Sequence, residues 1–183
     1  MIRLFIGLKI PDNIKKQVLD LDRNLNGALW KGEEKLHLTL AFVGNIEEPQ
    51  AEELRQELQY IRFPAFHLSF KEIGYFAKGN MPHHLWVGVA ENKALGELQE
   101  KVVNVVKKLQ LSDQDKFKFH PHMTLARLQG TSMLAVLDYI SKNNLFHSDE
   151  FLVDSFALFV SHAKENGEGK YYTIANEYPL SLV

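Results

Sequence analysis

The sequence predicts two copies of a β-α-β-α-β unit joined in one domain, and three observations carry that expectation. Apolar residues alternate along the chain between short runs of strand length and stripes at helical spacing. The windows Leu4-Phe5-Ile6-Gly7-Leu8 and Leu85-Trp86-Val87-Gly88-Val89 resemble each other at an offset of 81 positions. His37-Leu38-Thr39-Leu40-Ala41 and His122-Met123-Thr124-Leu125-Ala126 share four of five residues at an offset of 85, where Phe66 also meets Phe151. Matching windows at matching places in two strand-helix-strand runs argue for an internal duplication.

The first unit opens with Leu4, Phe5, Ile6 and Leu8, a strand ended by Pro11. Asp12 is placed to cap a helix striped by Ile14, Val18, Leu21 and Leu25. Leu36 to Val43 is a strand. Pro49, favoured in a first turn, opens a helix with Leu54, Leu58 and Ile61 on one face. Phe66 to Phe70 alternates as a strand, and Gly74 to His84 reads as a connecting loop. The second unit repeats the order: a strand over Leu85 to Val89, then Asn92 capping a helix with Leu95, Leu98, Val102, Val105 and Leu109. A strand over His122 to Arg127, a helix from Thr131 carrying Leu134, Leu137 and Ile140, and a strand over Phe151 to Val160 follow. Tyr171 to Ile174 adds one more strand. No Gly/Ser-rich linker parts the halves. Residues 1–183 are therefore expected to form a single bilobal domain, with lobes over 1–75 and 84–160 and segment 161–183 completing the sheets.

Composition narrows the function. With 183 residues, 45% apolar and 24% charged, the chain suits one globular domain. No apolar run approaches the roughly 20 residues of a membrane-spanning helix, so no membrane association is expected. Met1 to Asp12 is interrupted by Arg3 and Lys9 and is not expected to be a signal peptide. The absence of cysteine excludes a disulfide scaffold, a zinc finger and a thiol nucleophile, and a cytoplasmic location is the expectation. A net charge of −2 provides no basic field for long nucleic acid, so any nucleic-acid partner should be an end, a short segment or a nucleotide.

The chemistry sits on the repeated His-x-Thr. Alternate side chains of a strand share a face, so His37 and Thr39 point one way while Leu36, Leu38 and Leu40 point the other. His122 and Thr124 likewise oppose Met123 and Leu125. A pseudo-twofold axis would let the two pairs face each other across a cleft. Two imidazoles and two hydroxyls so placed suit metal-free phosphoryl transfer: one imidazole takes a proton, the other donates one, and the hydroxyls hold the phosphate oxygens. A single His-x-Thr on a strand signifies little, since both residues occur there structurally. Its duplication at one site in both halves gives the pattern its weight.

His37-Leu38-Thr39-Leu40 and His120-Pro121-His122-Met123-Thr124-Leu125-Ala126-Arg127, with Arg3 to Leu8, Leu36 to Gly44 and a looser Ser161 to Leu180 stretch, resemble the two-histidine (2H) phosphoesterase superfamily. More narrowly, the chain resembles its LigT-like branch, the RNA 2′,3′-cyclic phosphodiesterases formerly called 2′-5′ RNA ligases. That resemblance implies a bilobal α+β fold with mainly antiparallel sheets facing a central cleft. It implies an enzyme that opens RNA 2′,3′-cyclic phosphate ends to 2′-phosphate without metal or other cofactor, acting on RNA ends or short oligonucleotides. Carried over by position, His37 is the proton donor, His122 the acceptor, and Thr39 and Thr124 hold the phosphate. Arg127 contacts phosphate and Phe42 stacks on the base. Each of those two lies five residues after its histidine, which strict alternation puts on the opposite face. The strand must end, twist or bulge for either to reach the cleft; otherwise they belong to the core and to an exposed ion pair.

The remaining histidines carry weaker readings. His120, near Lys116 and Lys118, suits a basic rim or a structural place equally. His120 and His122 could suggest a metal pair, but no carboxylate shares their strand, and no metal site is expected. His83 and His84 fall in the expected loop and should be exposed; His67, His147 and His162 have no evident partner. Trp30 reads as core, although Trp30-Lys31 could line the cleft, and the charge-rich helix over 93–108 presents a solvated face. No Walker A loop is present for ATP-driven ligation. The alternatives are another 2H phosphodiesterase acting on cyclic nucleotides or 2′-5′-linked oligonucleotides, a noncatalytic RNA-end-binding module, or a metal-dependent hydrolase. A monomer is expected, because the two lobes cover each other.

Overall fold

A computed structural model describes residues 1–111, 118–165 and 169–182. Lys116 lies outside the described residues. The strands are β1 (Ile2–Lys9), β2 (Ala28–Trp30), β3 (His37–Ile46), β4 (Phe66–Leu68), β5 (Phe70–Lys78), β6 (Met81–Val89), β7 (His122–Leu128), β8 (Phe151–Val153), β9 (Ser155–Ala163) and β10 (Lys170–Pro179). The helices are α1 (Asp12–Leu19), α2 (Glu48–Leu58), α3 (Lys93–Lys108) and α4 (Met133–Asn143). One antiparallel sheet runs β10-β9-β1-β3 and a second β2-β7-β6-β5, with a two-stranded ribbon β4-β8. This is an α+β fold of two antiparallel sheets. They approach each other along β3 and β7, the two strands that carry His-x-Thr.

Each sheet draws strands from both halves of the sequence. β9 and β10 complete the sheet begun by β1 and β3, while β2 and β5 join β6 and β7. The ribbon exposes the symmetry behind this exchange. Phe66 pairs with Val153, Leu68 with Phe151, and His67 with Leu152. At the offset of 85 these are the same pair read from either side, so a pseudo-twofold axis passes between His67 and Leu152.

The 81-position match between first strands does not survive the pairing. Gly7 stands opposite Thr39, but Trp86, not Gly88, stands opposite Thr124. Phe5 pairs with Phe42 and His84 with Arg127. β6 is thus slid by two residues against the sequence match. A slip of two leaves every side chain on its original face, so hydrophobic patterning cannot detect it.

Helix ends and buried faces also differ from those expected. Pro11, not Asp12, is the N-cap of α1, and Asp12 is its first residue. Asn92 does cap α3, its Oδ1 accepting from the Leu95 amide at 2.9 Å. The buried face of α3 is Leu95, Leu98, Val102, Val103 and Val106, with Val105 and Leu109 only partly covered. α4 starts at Met133, two residues after Thr131, with Ser132 as cap. It buries Val136 and Tyr139 and leaves Leu134 79% and Leu137 46% exposed. Of the expected stripe only Ile140 packs against the core, and the Tyr139 hydroxyl secures the observed face by donating to the Asp22 carbonyl at 2.6 Å. The strands expected over Phe66 to Phe70 and Phe151 to Val160 each divide in two.

The segment Gly74 to His84 is not a loop but most of the β5-β6 hairpin, whose turn is Gly79-Asn80. Gly74 lies directly opposite Trp86, and a Cβ there would fall 2.1 Å from the indole. Trp86 in turn touches His120 and His122, with ring centroids 4.7 and 6.1 Å away. Gly74→Ala is expected to cost about 1–3 kcal/mol by overpacking and to lower activity by displacing the ring behind His122. Thermal denaturation with turnover checks this; an unchanged Tm would mean that the indole moves aside freely.

Candidate active site

Both His-x-Thr strands break their alternation at the same point. In β3, Leu40 and Ala41 are both buried, and the pairing jumps from Thr39 to Ala41 against consecutive residues of β1. In β7, Leu125 and Ala126 are both buried, and the pairing jumps from Thr124 to Ala126. Each is a β-bulge, in which one extra residue shifts the following side chains to the other face. Beyond the bulges Phe42 and Arg127 emerge exposed, on the side of the histidines rather than in the core. The Leu40 carbonyl at the first bulge accepts from Gln99 of α3 at 3.4 Å.

His37, Thr39, His122 and Thr124 line one cleft of about 360 Å³, together with Lys31, Phe42, Phe76, His84 and Tyr172. Arg127 does not line it; it sits at the rim, paired with His84 across β6-β7. The two imidazoles are held alike. His37 Nδ1 lies 2.8 Å from the Lys35 carbonyl, and His122 Nδ1 lies 2.7 Å from the His120 carbonyl. A carbonyl only accepts, so each Nδ1 carries the proton, and Nε2 is the unprotonated nitrogen of each neutral ring.

Rings back each imidazole. Phe5 and Phe159 stack at 4.8 Å and lie 4.7 and 5.8 Å from His37, and Tyr172 meets His37 edge-on at 5.1 Å. Phe76 meets His122 edge-on at 4.9 Å. This apolar backing has an electrostatic consequence. Burial, then the Lys31 ammonium, drive the His37 pKa down to about 4. His122 is also lowered, by burial first and then by the charges of His120 and Lys31. Lys31 itself is lowered to about 8 by burial and the neighbouring Lys35. Among the described residues no carboxylate lines the cleft. It concentrates positive and protonatable groups where an anion would relieve them. Among the described residues no group of three or more His, Cys, Asp or Glu side chains is placed to hold a metal ion.

Of the pair Trp30-Lys31, Lys31 lines the cleft; it follows β2, and its amide donates to the Leu125 carbonyl at 2.8 Å, beside the β7 bulge. Three other lining residues, Phe76, His84 and Tyr172, escaped the sequence. His84 was hidden by the expected loop; it is half-buried, while His83 is exposed. Tyr172 was seen only as part of a strand. His120 contributes its carbonyl to His122 while its ring packs on Trp86, outside the cleft lining. His162 has a partner after all, Thr173, with Nε2 and Oγ1 2.8 Å apart. Trp30 lies between Tyr139 and the Arg23 guanidinium rather than in the cleft.

Known proteins bear on this arrangement. A protein of Thermotoga maritima named RNA 2′,3′-cyclic phosphodiesterase is 33% identical over 133 residues, covering 69% of this chain and 70% of its own. One of the same name from Aquifex aeolicus is 28% identical and covers 98% of both chains. The structure of Escherichia coli LigT in its apo form superposes with a TM-score of 0.79 over 98% of both chains at 21% identity, a likeness of fold. The sequence model of the 2′-5′ RNA ligase superfamily matches residues 10–165, a span that takes in both His-x-Thr strands, and the chain belongs to that superfamily.

Proposed function

We propose that the protein hydrolyses RNA 2′,3′-cyclic phosphate ends to 2′-phosphates without a metal. The observation that carries this reading is the convergence of two His-x-Thr pairs, from separate sheets, on one cleft with no carboxylate among its described residues. Relatives named for that activity support it. In the proposed step His122 Nε2 takes a proton from water as the oxygen attacks phosphorus. The bond from phosphorus to O3′ breaks, and His37 Nε2 delivers a proton to O3′, leaving the phosphate on O2′. The Thr39 and Thr124 hydroxyls donate to the non-bridging oxygens, and the Lys31 ammonium balances the charge gathered there. Phe42 offers a stacking surface for the base and Arg127 a cation at the rim.

The donor role sets a condition. An imidazole with a pKa of about 4 is neutral at physiological pH, so His37 must gain its proton as the anionic phosphate binds beside it. An opposite charge nearby favours the protonated form.

The test is a 2′,3′-cyclic mononucleotide incubated with the protein in excess EDTA, with 2′- and 3′-phosphate products resolved. Formation of the 2′-phosphate is the expected result. The 3′-phosphate would reject the regiochemistry, and activity abolished by EDTA would reject the metal-free mechanism. Turnover of neither this substrate nor a short RNA with the same end would favour a binding module.

A further inference from the structure

The cleft-facing side of the β10-β9-β1-β3 sheet continues past His37 at both ends, and the two ends differ in charge. At one end lies a cavity of about 520 Å³ whose cations are already balanced. There Lys9 is paired with Glu177 at 2.5 Å and Lys15 with Asp12 at 3.8 Å, and Glu34 and Asp154 add negative charge to the wall. At the other end is a smaller pocket of about 190 Å³ that includes Arg3, Ser161 and Lys170 and, among the described residues, no carboxylate. It shares three walls with the cleft: His37, Phe42 and Tyr172. Among the described residues neither Arg3 nor Lys170 has an ion-pair partner.

Arg3 reaches this pocket for a reason visible in its strand. Leu4, Ile6 and Leu8 of β1 face the core, so Arg3 and Phe5 share the opposite side, where Phe5 touches His37. The guanidinium is near enough to act on the Tyr172 hydroxyl, which bounds both cavities. A space of 190 Å³ is below the roughly 300 Å³ at which pockets begin to enclose whole small molecules. It suits a compact anionic group, and an Arg fork with a Lys ammonium is a common way to hold phosphate oxygens.

We infer that Arg3 and Lys170 form a subsite for the backbone phosphate on the 5′ side of the terminal nucleotide, making the protein select oligonucleotide ends over free cyclic mononucleotides. The inference rests on the proposed phosphodiesterase reading and adds the direction in which the chain leaves the cleft. A polyanion should follow the end with uncompensated cations, even though the opposite cavity is larger.

The experiment compares kcat/KM for a 2′,3′-cyclic mononucleotide and for a trinucleotide ending in the same cyclic nucleotide. Wild type, the Arg3→Gln/Lys170→Gln double variant and Lys9→Gln are measured side by side. The expected result is a trinucleotide preference in wild type that falls roughly 10-fold in the double variant, the worth of losing charge-assisted contacts. It should persist in Lys9→Gln and weaken with added salt. Equal use of both substrates by wild type, or a preference unchanged in the double variant, would overturn the inference and leave the phosphodiesterase reading standing. Loss of the preference in Lys9→Gln alone would overturn it in favour of the larger cavity. Turnover of neither substrate would remove the phosphodiesterase reading and this inference with it.

Discussion

Replacing His37 or His122 with alanine is expected to lower turnover of a 2′,3′-cyclic phosphate by about 10²–10⁴-fold and to leave the fold intact. The fold part follows from where the residues sit. Each imidazole is half-buried on the cleft side of its strand. The strands are held from behind by Leu38, Leu40, Met123 and Leu125, all fully or nearly fully buried. The rate part follows from the paired step, in which one Nε2 must take a proton and the other must give one. Neither can be supplied by the other side chain without reversing its role. Removing both should therefore cost little more than removing one, because residues that act as a unit are not additive. Thr39→Ala or Thr124→Ala removes one neutral hydrogen bond, worth about 1 kcal/mol, so the loss should be closer to 10-fold. Single-turnover rates with circular dichroism on the same samples separate the outcomes. Wild-type turnover in either histidine variant would sink the two-imidazole mechanism.

Much of this site was legible because the signal was local and repeated. Alternation placed His37 with Thr39 and His122 with Thr124, and identity at an offset of 85 tied the two places together. The positions of Phe42 and Arg127 were not legible. They depend on bulges at Leu40 and Leu125, and a bulge is decided by the partner strand, here β1 and β6. The β5-β6 hairpin was missed because Gly74, Gly79, Asn80 and Pro82 look like loop punctuation. Only Gly79-Asn80 is the turn, with Gly79 at φ +59°. Pro82 is tolerated because the pairing of β6 with β7 begins only at His84, so no partner there needs its missing N–H. The face of α4 was ambiguous for a different reason: residues 133–137 are all apolar, so more than one stripe fits helical spacing. Tertiary contacts made the choice. The place of Lys31 before the first motif marked it as able to line the cleft, but its seat there comes from what β2 is laid against.

Lys31→Met is expected to reduce kcat roughly 10²-fold, comparable to removing one donor from a transition-state anion hole, and to move the pH optimum upward. The Lys31 ammonium opposes a second positive charge in the cleft and so lowers both imidazole pKa values. In the free protein the productive form has one imidazole neutral and one protonated. That form is most populated between the two pKa values, one near 4 and the other below 6.5. The wild-type kcat/KM profile should therefore be a bell peaking on the acid side of pH 6.5, its limbs belonging to the pair and not to either residue. The kcat profile, which reports the complex, should peak higher, because bound phosphate favours imidazolium. Without Lys31 the repulsion disappears, both pKa values rise, and the kcat/KM bell shifts to higher pH even as its height falls. A residue that merely supported β2 would lower the height without moving the peak. The Lys31→Arg variant sharpens the distinction, since it keeps a cation and should leave the peak on the acid side. A Lys31→Met profile that stays in place, or moves toward acid, would remove Lys31 from the electrostatics of the site.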